Sequence, residues 1–231
     1  MNRLWYNSPT LRILAMTTVQ FPIAERAPDT VADLAMGMRL SMAQGREIQP
    51  DELFSHLNKA NLKAVLVGGH AVNARTGRPR ATVDIDIVAE KPKKVVDLIS
   101  HAYPHLTVED HPVVSRFKDT DHEAIDVIKP TSSLLFKRIL KMTDVVKIGG
   151  ERIAIPSVEA MLALKHASLI SPWRKVEDKY TDGRDFILIV KGAPKLNDVL
   201  LKELGELTCP SGGDDLLTLV ADARAGRTLR I

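Results

Sequence analysis

The sequence has few of the features that would assign it to a secreted, membrane-bound or strongly nucleic-acid-binding class. It has one cysteine, Cys209, which excludes an internal disulfide, so we expect a reducing, cytoplasmic setting. No apolar run approaches the roughly 20 residues of a membrane span, so we expect no membrane partner. Lysine and arginine total 32 against 29 aspartate and glutamate; the formal charge of +3 does not by itself indicate a nucleic-acid binder, but it allows a local basic patch.

The 231 residues, of which 45% are hydrophobic, are enough for one large domain or two small ones with a packed core. The most informative stretch runs from residue 64 to residue 90. An apolar run, Ala64–Val67, breaks at Gly68-Gly69, and a turn signal follows at Gly77-Arg78-Pro79. Apolar and acidic residues then alternate over Val83–Val88, and this period of two predicts a strand.

Asp84 and Asp86 lie two positions apart in the predicted strand, so we expect their side chains to share one face while Val83, Ile85 and Ile87 share the other. Adjacent carboxylates repel each other and raise each other's pKa unless a cation lies between them. Mg²⁺ prefers hard oxygen ligands and is commonly held by one or two carboxylates plus substrate phosphates. The pair therefore predicts a magnesium site, and an acidic, solvated strand face is the alternative.

Gly68 and Gly69 follow the first predicted strand. Glycine lets the backbone approach a ligand closely, and the free amides of a helix that begins there favour a phosphate. The alternative is a tight strand-to-helix connection without a ligand. A phosphate-binding turn beside a metal-binding carboxylate pair indicates nucleotide chemistry.

This combination resembles the DNA polymerase beta-like nucleotidyltransferase superfamily, and most of all its small bacterial AbiEii-type toxin branch. The resemblance covers about residues 64–128 and implies an α+β (α/β) nucleotidyltransferase fold, a mixed sheet flanked by helices with a mostly helical C-terminal half. It implies transfer of a nucleoside monophosphate from an NTP, ATP or CTP among them, with two Mg²⁺ ions or Mn²⁺ as cofactor. The residues that carry it are Gly68, Gly69, Gly77, Arg80, Thr82, Asp84 and Asp86.

The resemblance also implies a third metal-binding carboxylate on a later strand. Asp126, in the apolar run Ala124–Ile128, matches that position. It would complete the second metal site with Asp84 and Asp86 and accept the proton of the acceptor. Asp119, Asp121 and Glu123 are competing acids, but they lie at or near a predicted turn.

Three further residues are candidates for binding the nucleotide. His70 follows the glycine turn, where it would touch a phosphate or cap the helix. Arg80 matches a position that is basic in many relatives and would neutralise triphosphate charge, with ordinary surface charge as an equal alternative. Surface charge is the simpler interpretation of Arg75 and Arg78. Lys165 lies in an otherwise apolar helix, so it must extend to solvent or meet an anion; relatives place a lysine here, facing the nucleotide.

A charged segment from Arg174 to Asp185 matches the family's Arg-x-Lys-Asp-x-x-Asp helix with imperfect spacing. Asp178, or Asp182 with Asp185, would supply its acids, and a helix with ordinary Lys–Asp pairs is an equal alternative. Trp173 would stack on a base or belong to the core.

The order of predicted elements divides the chain into three regions. Residues 1–48 contain a lead-in and a helix at 31–43, residues 49–130 contain the nucleotidyltransferase core, and residues 131–231 are mostly helical and complete the nucleotide cleft. Within the last region we expect a hairpin that turns at Gly149-Gly150, then helices at 159–169, 174–190, 198–207 and 214–225.

The expected function is nucleotidyl transfer to a hydroxyl or phosphate acceptor. The acceptor is open: a tRNA, a protein or a small molecule such as an aminoglycoside. The AbiEii-type resemblance favours the toxin of a toxin–antitoxin pair, with an antitoxin protein as partner. A non-catalytic nucleotide- or partner-binding module, and a nucleic-acid-binding protein that uses Arg75–Arg80, are the alternatives.

Overall fold

A computed structural model of the protein describes residues 48–230. The predicted helix at 31–43 and nearly all of the predicted N-terminal region 1–48 lie outside the described residues. The elements named below are numbered within the described part of the chain.

The centre of the fold is a five-stranded mixed sheet with the strand order β1-β2-β5-β4-β3. The pair β2–β5 is parallel, and the other neighbouring pairs are antiparallel. The strands are β1 (Ala64–Leu66), β2 (Ile85–Ala89), β3 (Thr107–Asp110), β4 (Val114–Asp119) and β5 (His122–Ile128). The predicted mixed sheet is therefore confirmed.

Three helices precede or connect the first strands: α1 (Pro50–Lys59), α2 (Gly68–Thr76) and α3 (Pro92–Ala102). α1 and α3 begin with a proline, which has no backbone N–H to leave unbonded in the first turn. Both bury an apolar face, which includes Leu53 and Leu57 in α1 and Val95 and Ile99 in α3. α3 packs its stripe against β2 and β5, the strands that carry Asp86 and Asp126, and α1 packs against α3.

The C-terminal half is mostly helical, as predicted. After a short 3₁₀ turn (Pro130–Ser132) and helix α4 (Leu134–Ile139), strands β6 (Thr143–Ile148) and β7 (Glu151–Pro156) form a hairpin that turns at Gly149-Gly150. Helices α5 (Val158–Ile170), α6 (Val176–Gly192), α7 (Asp198–Glu206) and α8 (Gly212–Ala225) follow. Ser157 and Asn197 cap α5 and α7, because their side-chain oxygens accept the amides of Ala160 and Leu200.

One buried apolar cluster extends from Leu53 in α1 to Leu229 after α8 and contains residues of both halves. It fixes the positions of α5 and α6 relative to the sheet. Within the described residues, no helix combines the length and the apolarity that crossing a membrane requires.

Two of the predicted boundaries that were wrong lie next to the candidate site. β2 begins at Ile85 rather than Val83, and Val83, expected on the apolar face of the strand, is 66% exposed. α6 begins at Val176 rather than Arg174, so Arg174 lies with Trp173 in the connection before it.

Candidate active site

The glycine turn lies directly against the carboxylate of Asp86. Gly68 opens α2 with a φ of +63°, a left-handed conformation that glycine adopts without strain. A Cβ atom at Gly68 would lie 1.9 Å from Oδ2 of Asp86, so only glycine allows this approach. The backbone amide of Val67 donates to the carbonyl oxygen of Asp86 at 2.8 Å, which fixes the turn and the acid together.

Asp84 lies just before β2 and is half-buried. Its Oδ1 accepts a hydrogen bond from the hydroxyl of Thr82 at 3.3 Å. Asp84 is therefore held by the connection between α2 and β2, whereas Asp86 is held by the strand itself. The two carboxylates are close enough for Asp84 to raise the pKa of Asp86.

The environment of Asp86 disfavours its charged form. Burial is the largest cause, and the neighbouring Asp84 and Asp126 carboxylates add to it; together they raise the pKa of Asp86 from 3.8 to about 7. The cations Lys165 and Arg174 act in the opposite direction and only partly compensate. Burial and the neighbouring acids thus disfavour a charged Asp86, an effect that a bound divalent cation would offset.

Asp126 lies beside Asp86, because the parallel register of β2 and β5 pairs these two residues. Its two oxygens are bonded to Arg116 on β4: Nε donates to Oδ1 and Nη2 donates to Oδ2, both at 3.0 Å. Arg116 also lies 2.8 Å from Glu123. The hydrogen bond with Asp126 raises the pKa of Arg116.

The surroundings of Asp84, Asp86 and Asp126 show which of these carboxylates could bind a metal ion. Asp84 and Asp86 fit a hard divalent cation, because they are oxygen donors with uncompensated charge and the glycine turn leaves no side chain in their way. Asp126 is adjacent to Asp86, but both of its oxygens accept hydrogen bonds from the guanidinium of Arg116. Among residues 48–230, no three histidine, cysteine or acidic side chains are arranged to hold one ion.

Arg80 lies over the glycine turn and is tied to α6. Its guanidinium donates from Nε and Nη2 to the two oxygens of Asp185, at 3.1 and 3.0 Å. A Cβ atom at Gly69 would lie 2.9 Å from Nη2 of Arg80. The backbone of Arg80 is bonded in both directions to the side-chain amide of Asn73. Arg80 is thus held close to the turn that we expect to bind phosphate.

Lys165 reaches an anion, but that anion belongs to the protein. Its Nζ donates to Asp182 at 2.8 Å and to Asp185 at 2.7 Å, and all three side chains are buried. Asp182 and Asp185 are three positions apart on α6, so both face α5. Asp182 also accepts from Nε of Arg174 at 2.9 Å.

Arg174 is the cation of this network that keeps an accessible side chain, 44% exposed. Burial lowers its pKa, but the carboxylates of Asp182, Asp178 and Asp86 outweigh that effect and raise it. Arg174 therefore lies within electrostatic reach of Asp86. Trp173, next to it, is 92% exposed and does not belong to the core.

Sequence reasoning missed two residues of the site. The ion pair of Arg116 with Asp126 depends on strand register, which the sequence does not give. The sequence does show that Arg116 alternates with Ser115 and Phe117, which are buried, so its side chain lies on the other face of β4. The two hydrogen bonds between the side chain of Asn73 and the backbone of Arg80 have no sequence signal apart from the turn at Gly77 between them. His70 lies in the first turn of α2 and is half-buried.

No family model matches the chain, and no curated protein sequence matches it significantly. The fold is similar to that of a nucleotidyltransferase-like protein from Paracoccidioides brasiliensis (18% identity, TM-score 0.46, 76% of this chain and 95% of that chain). It is similar to the lincosamide antibiotic adenylyltransferase LnuA with bound lincomycin (18%, TM-score 0.44, 61% and 98%) and to the antibiotic-resistance factor ANT(2'')-Ia (16%, TM-score 0.45, 84% and 94%). Similarities of this size do not assign an activity to this chain, so the function has to be argued from the site.

Proposed function

We propose that the protein transfers a nucleoside monophosphate from an NTP to an acceptor in a Mg²⁺-dependent reaction. The observation that carries the proposal is the approach of the Asp86 carboxylate to the turn at Gly68 and Gly69. This closeness supports the proposal, because nucleotidyl transfer needs a metal-binding acid next to a phosphate-binding helix start.

Asp84 and Asp86 would hold Mg²⁺ in this proposal. The metal supplies charge neutralisation on the triphosphate and lowers the pKa of the acceptor hydroxyl. The amides at the start of α2 orient the phosphates, with His70 in the same turn. Arg174 supplies an accessible guanidinium within electrostatic reach of Asp86, and Arg80 keeps the turn in place.

Lys165 acts on the nucleotide indirectly in this arrangement. With both buried aspartates on its ammonium group, it holds Asp185 for Arg80 and Asp182 for Arg174. These two bonds use two of the three ammonium donors, so its predicted contact with the phosphates would have to use the third. Asp126 is the third carboxylate of the proposal. Each of its oxygens accepts one hydrogen bond from Arg116 and keeps a further lone pair, but the guanidinium charge beside it disfavours a metal ion there.

The surface next to Arg174 favours a nucleic-acid acceptor over a small molecule. Trp173 and Tyr180 are 92% and 43% exposed, and Lys175 and Lys179 lie between them in sequence. Exposed aromatic rings among basic side chains suit stacked bases and phosphates. A toxin that modifies an RNA such as tRNA, neutralised by an antitoxin protein, is the setting that fits the AbiEii-type resemblance.

One observation favours a second candidate, a nucleotide-binding module without catalysis. The ion pair with Arg116 neutralises Asp126, one of the three carboxylates that the proposal assigns to metal. Such a module would bind Mg²⁺-NTP through Asp84 and Asp86 and transfer nothing.

The test is incubation of the protein with each α-labelled NTP, Mg²⁺ and total cell extract, followed by separate digestion with ribonuclease and protease. We expect label in a ribonuclease-sensitive product, none in EDTA and none with Asp84→Asn. Asp97→Asn, which removes an exposed acid on α3, is the matched control and should label as wild type does. Mg²⁺-dependent nucleotide binding without any labelled product would favour the second candidate, and absence of both would refute the proposal.

A further inference from the structure

The carboxylate of Asp126 is held by a guanidinium on the neighbouring strand. Nε and Nη2 of Arg116 donate to Oδ1 and Oδ2 of Asp126, both at 3.0 Å, which is the two-bond geometry of the strongest arginine–carboxylate pairs. The side chain of Asp126 is 11% exposed and that of Arg116 is 32% exposed. Solvent therefore weakens this pair less than it weakens an ion pair on the open surface.

Acids surround Arg116 and fix its position. Its third guanidinium nitrogen, Nη1, lies 2.8 Å from Oε1 of Glu123, so all three nitrogens contact carboxylates. The register of the sheet supports the same arrangement, because Arg116 on β4 is paired with Asp126 on β5 and with Glu109 on β3. A turn of the guanidinium away from Asp126 would break two hydrogen bonds and leave this acid without its counter-charge.

A second metal ion on Asp126 would lie next to this guanidinium. Mg²⁺ binds carboxylate oxygens at about 2.1 Å, and each oxygen of Asp126 is 3.0 Å from a nitrogen of Arg116. The ion would therefore lie within about 5 Å of a positive charge that arginine does not lose by deprotonation. Repulsion at that distance is strong in a partly buried site, so a metal ion and Arg116 compete for the same carboxylate.

The carboxylates of Asp84 and Asp86 have different surroundings. The cations that act on Asp86 through space, Lys165 and Arg174, are hydrogen-bonded to Asp182. When Asp84 and Asp86 are both ionised, their two negative charges equal the charge of one divalent ion. The first metal position is therefore supported by the structure of the site, whereas the second is opposed by Arg116.

We propose that the site binds one divalent ion, on Asp84 and Asp86, and that the guanidinium of Arg116 supplies the second positive charge, beside Asp126. This inference rests on the proposed function and departs from the two ions that the family resemblance implies. The positive charge at Asp126 is then part of the sheet and does not depend on the concentration of free metal.

Mn²⁺ counts the ions, because its electron paramagnetic resonance signal distinguishes free from bound metal. The full chain is titrated with Mn²⁺ in the presence of one equivalent of α,β-methylene-ATP, which cannot be cleaved between its α- and β-phosphates, and a parallel series uses the CTP analogue. We expect one bound Mn²⁺ per chain and a spectrum without magnetic coupling, whereas two ions roughly 3.5–4 Å apart would couple. Two coupled ions in the wild type would overturn the inference and leave the proposed function in place. Absence of any protein-bound ion would refute the metal site of the proposed function as well.

Three variants test the part of Arg116. Arg116→Gln removes the guanidinium, so we expect a second, coupled Mn²⁺ with Asp126 as a ligand, and Arg116→Gln combined with Asp126→Asn should again bind one ion. Lys118→Gln is the matched control, because it removes a cation of the same strand whose partner is Glu109, at 2.8 Å, and it should bind one ion as the wild type does. One ion in Arg116→Gln, with a circular dichroism spectrum like that of the wild type, would show that the guanidinium does not exclude the second ion and would overturn the inference.

Discussion

Replacement of Asp86 by asparagine should stabilise the metal-free protein at alkaline pH, although it removes a residue of the proposed active site. The pKa of Asp86 is raised from 3.8 to about 7, so the folded state holds this proton more tightly than the unfolded state does. The contribution of Asp86 to stability is neutral below about pH 4, becomes unfavourable as the pH rises from 4 to 7, and stays unfavourable above 7.

The size of the effect follows from the shift. A change of roughly 3 pKa units corresponds to about 4 kcal/mol at full strength. Asp86 is half-buried, and solvent and relaxation weaken the effect, so we expect a gain of about 1–2 kcal/mol for Asp86→Asn at pH 8. Gly68 can stay in contact with the new side chain, because asparagine has nearly the same shape.

Urea unfolding in EDTA at several pH values measures this prediction. The curves of wild type and Asp86→Asn should coincide near pH 4 and separate toward pH 8, whereas Asp97→Asn should follow wild type throughout. Addition of Mg²⁺ at pH 8 should stabilise wild type and leave Asp86→Asn unchanged. A variant that is less stable than wild type at pH 8, with the same pH dependence, would refute the view that uncompensated negative charge defines this site.

Four further predictions concern neighbouring residues. Gly68→Ala should lower the free energy of unfolding by about 2–4 kcal/mol in thermal or urea unfolding. Gly77→Ala is the control, because Gly77 has the same φ of +63° but nothing within 4 Å of the added Cβ, and it should cost only about 1 kcal/mol. Equal losses would contradict the role given to Asp86. Lys165→Met should cost about 3–5 kcal/mol, since it leaves two buried aspartates with less compensation, and a near-neutral result would place Lys165 outside the network. Arg116→Gln should free Asp126 and increase the number or affinity of Mn²⁺ ions bound in a calorimetric titration with NTP present; unchanged binding would mean that Asp126 takes no metal. Asp126→Asn should keep NTP affinity within a few-fold and lower the transfer rate by ~100-fold, and a wild-type rate would point to Glu123 as the third acid.

The local features of the site could be predicted from the sequence because they depend on residues close together in the chain. Gly68 and Asp86 form one close contact. Each has a clear local pattern in the sequence: Gly-Gly after an apolar run for Gly68, and alternating apolar and acidic residues for Asp86. The predicted start of β2 at Val83 is wrong because Val83 fits the alternating pattern but is exposed. An alternating pattern forms a strand only where one face is buried.

The partner of Asp126 could not be predicted, because it depends on an irregularity in the sheet. Near the turn, Asp119 pairs with His122. Regular counting from there would place Arg116 opposite Ile125, on the other face of the sheet. A bulge at Phe117/Lys118 shifts the register by one residue, so that Arg116 pairs with Asp126.

The partner of Lys165 depends on how α5 packs against α6. The sequence indicates that a lysine in an apolar helix needs an anion, and Asp182 and Asp185 were among the candidate acids of the next helix. Whether that anion is a phosphate or an aspartate depends on the rotation of one helix against the other, which a single sequence does not specify.

The Arg80–Asp185 salt bridge has a consequence for the time at which the site is completed during synthesis. It joins residues 105 positions apart, and a ribosome that adds 5–20 residues per second needs roughly 5–20 s to make that stretch. A nascent chain therefore carries Asp84 and Asp86 well before α6 is available to hold Arg80 over the glycine turn. The proposed nucleotidyl transfer would therefore have to wait until α6 has left the ribosome and packed beside Arg80.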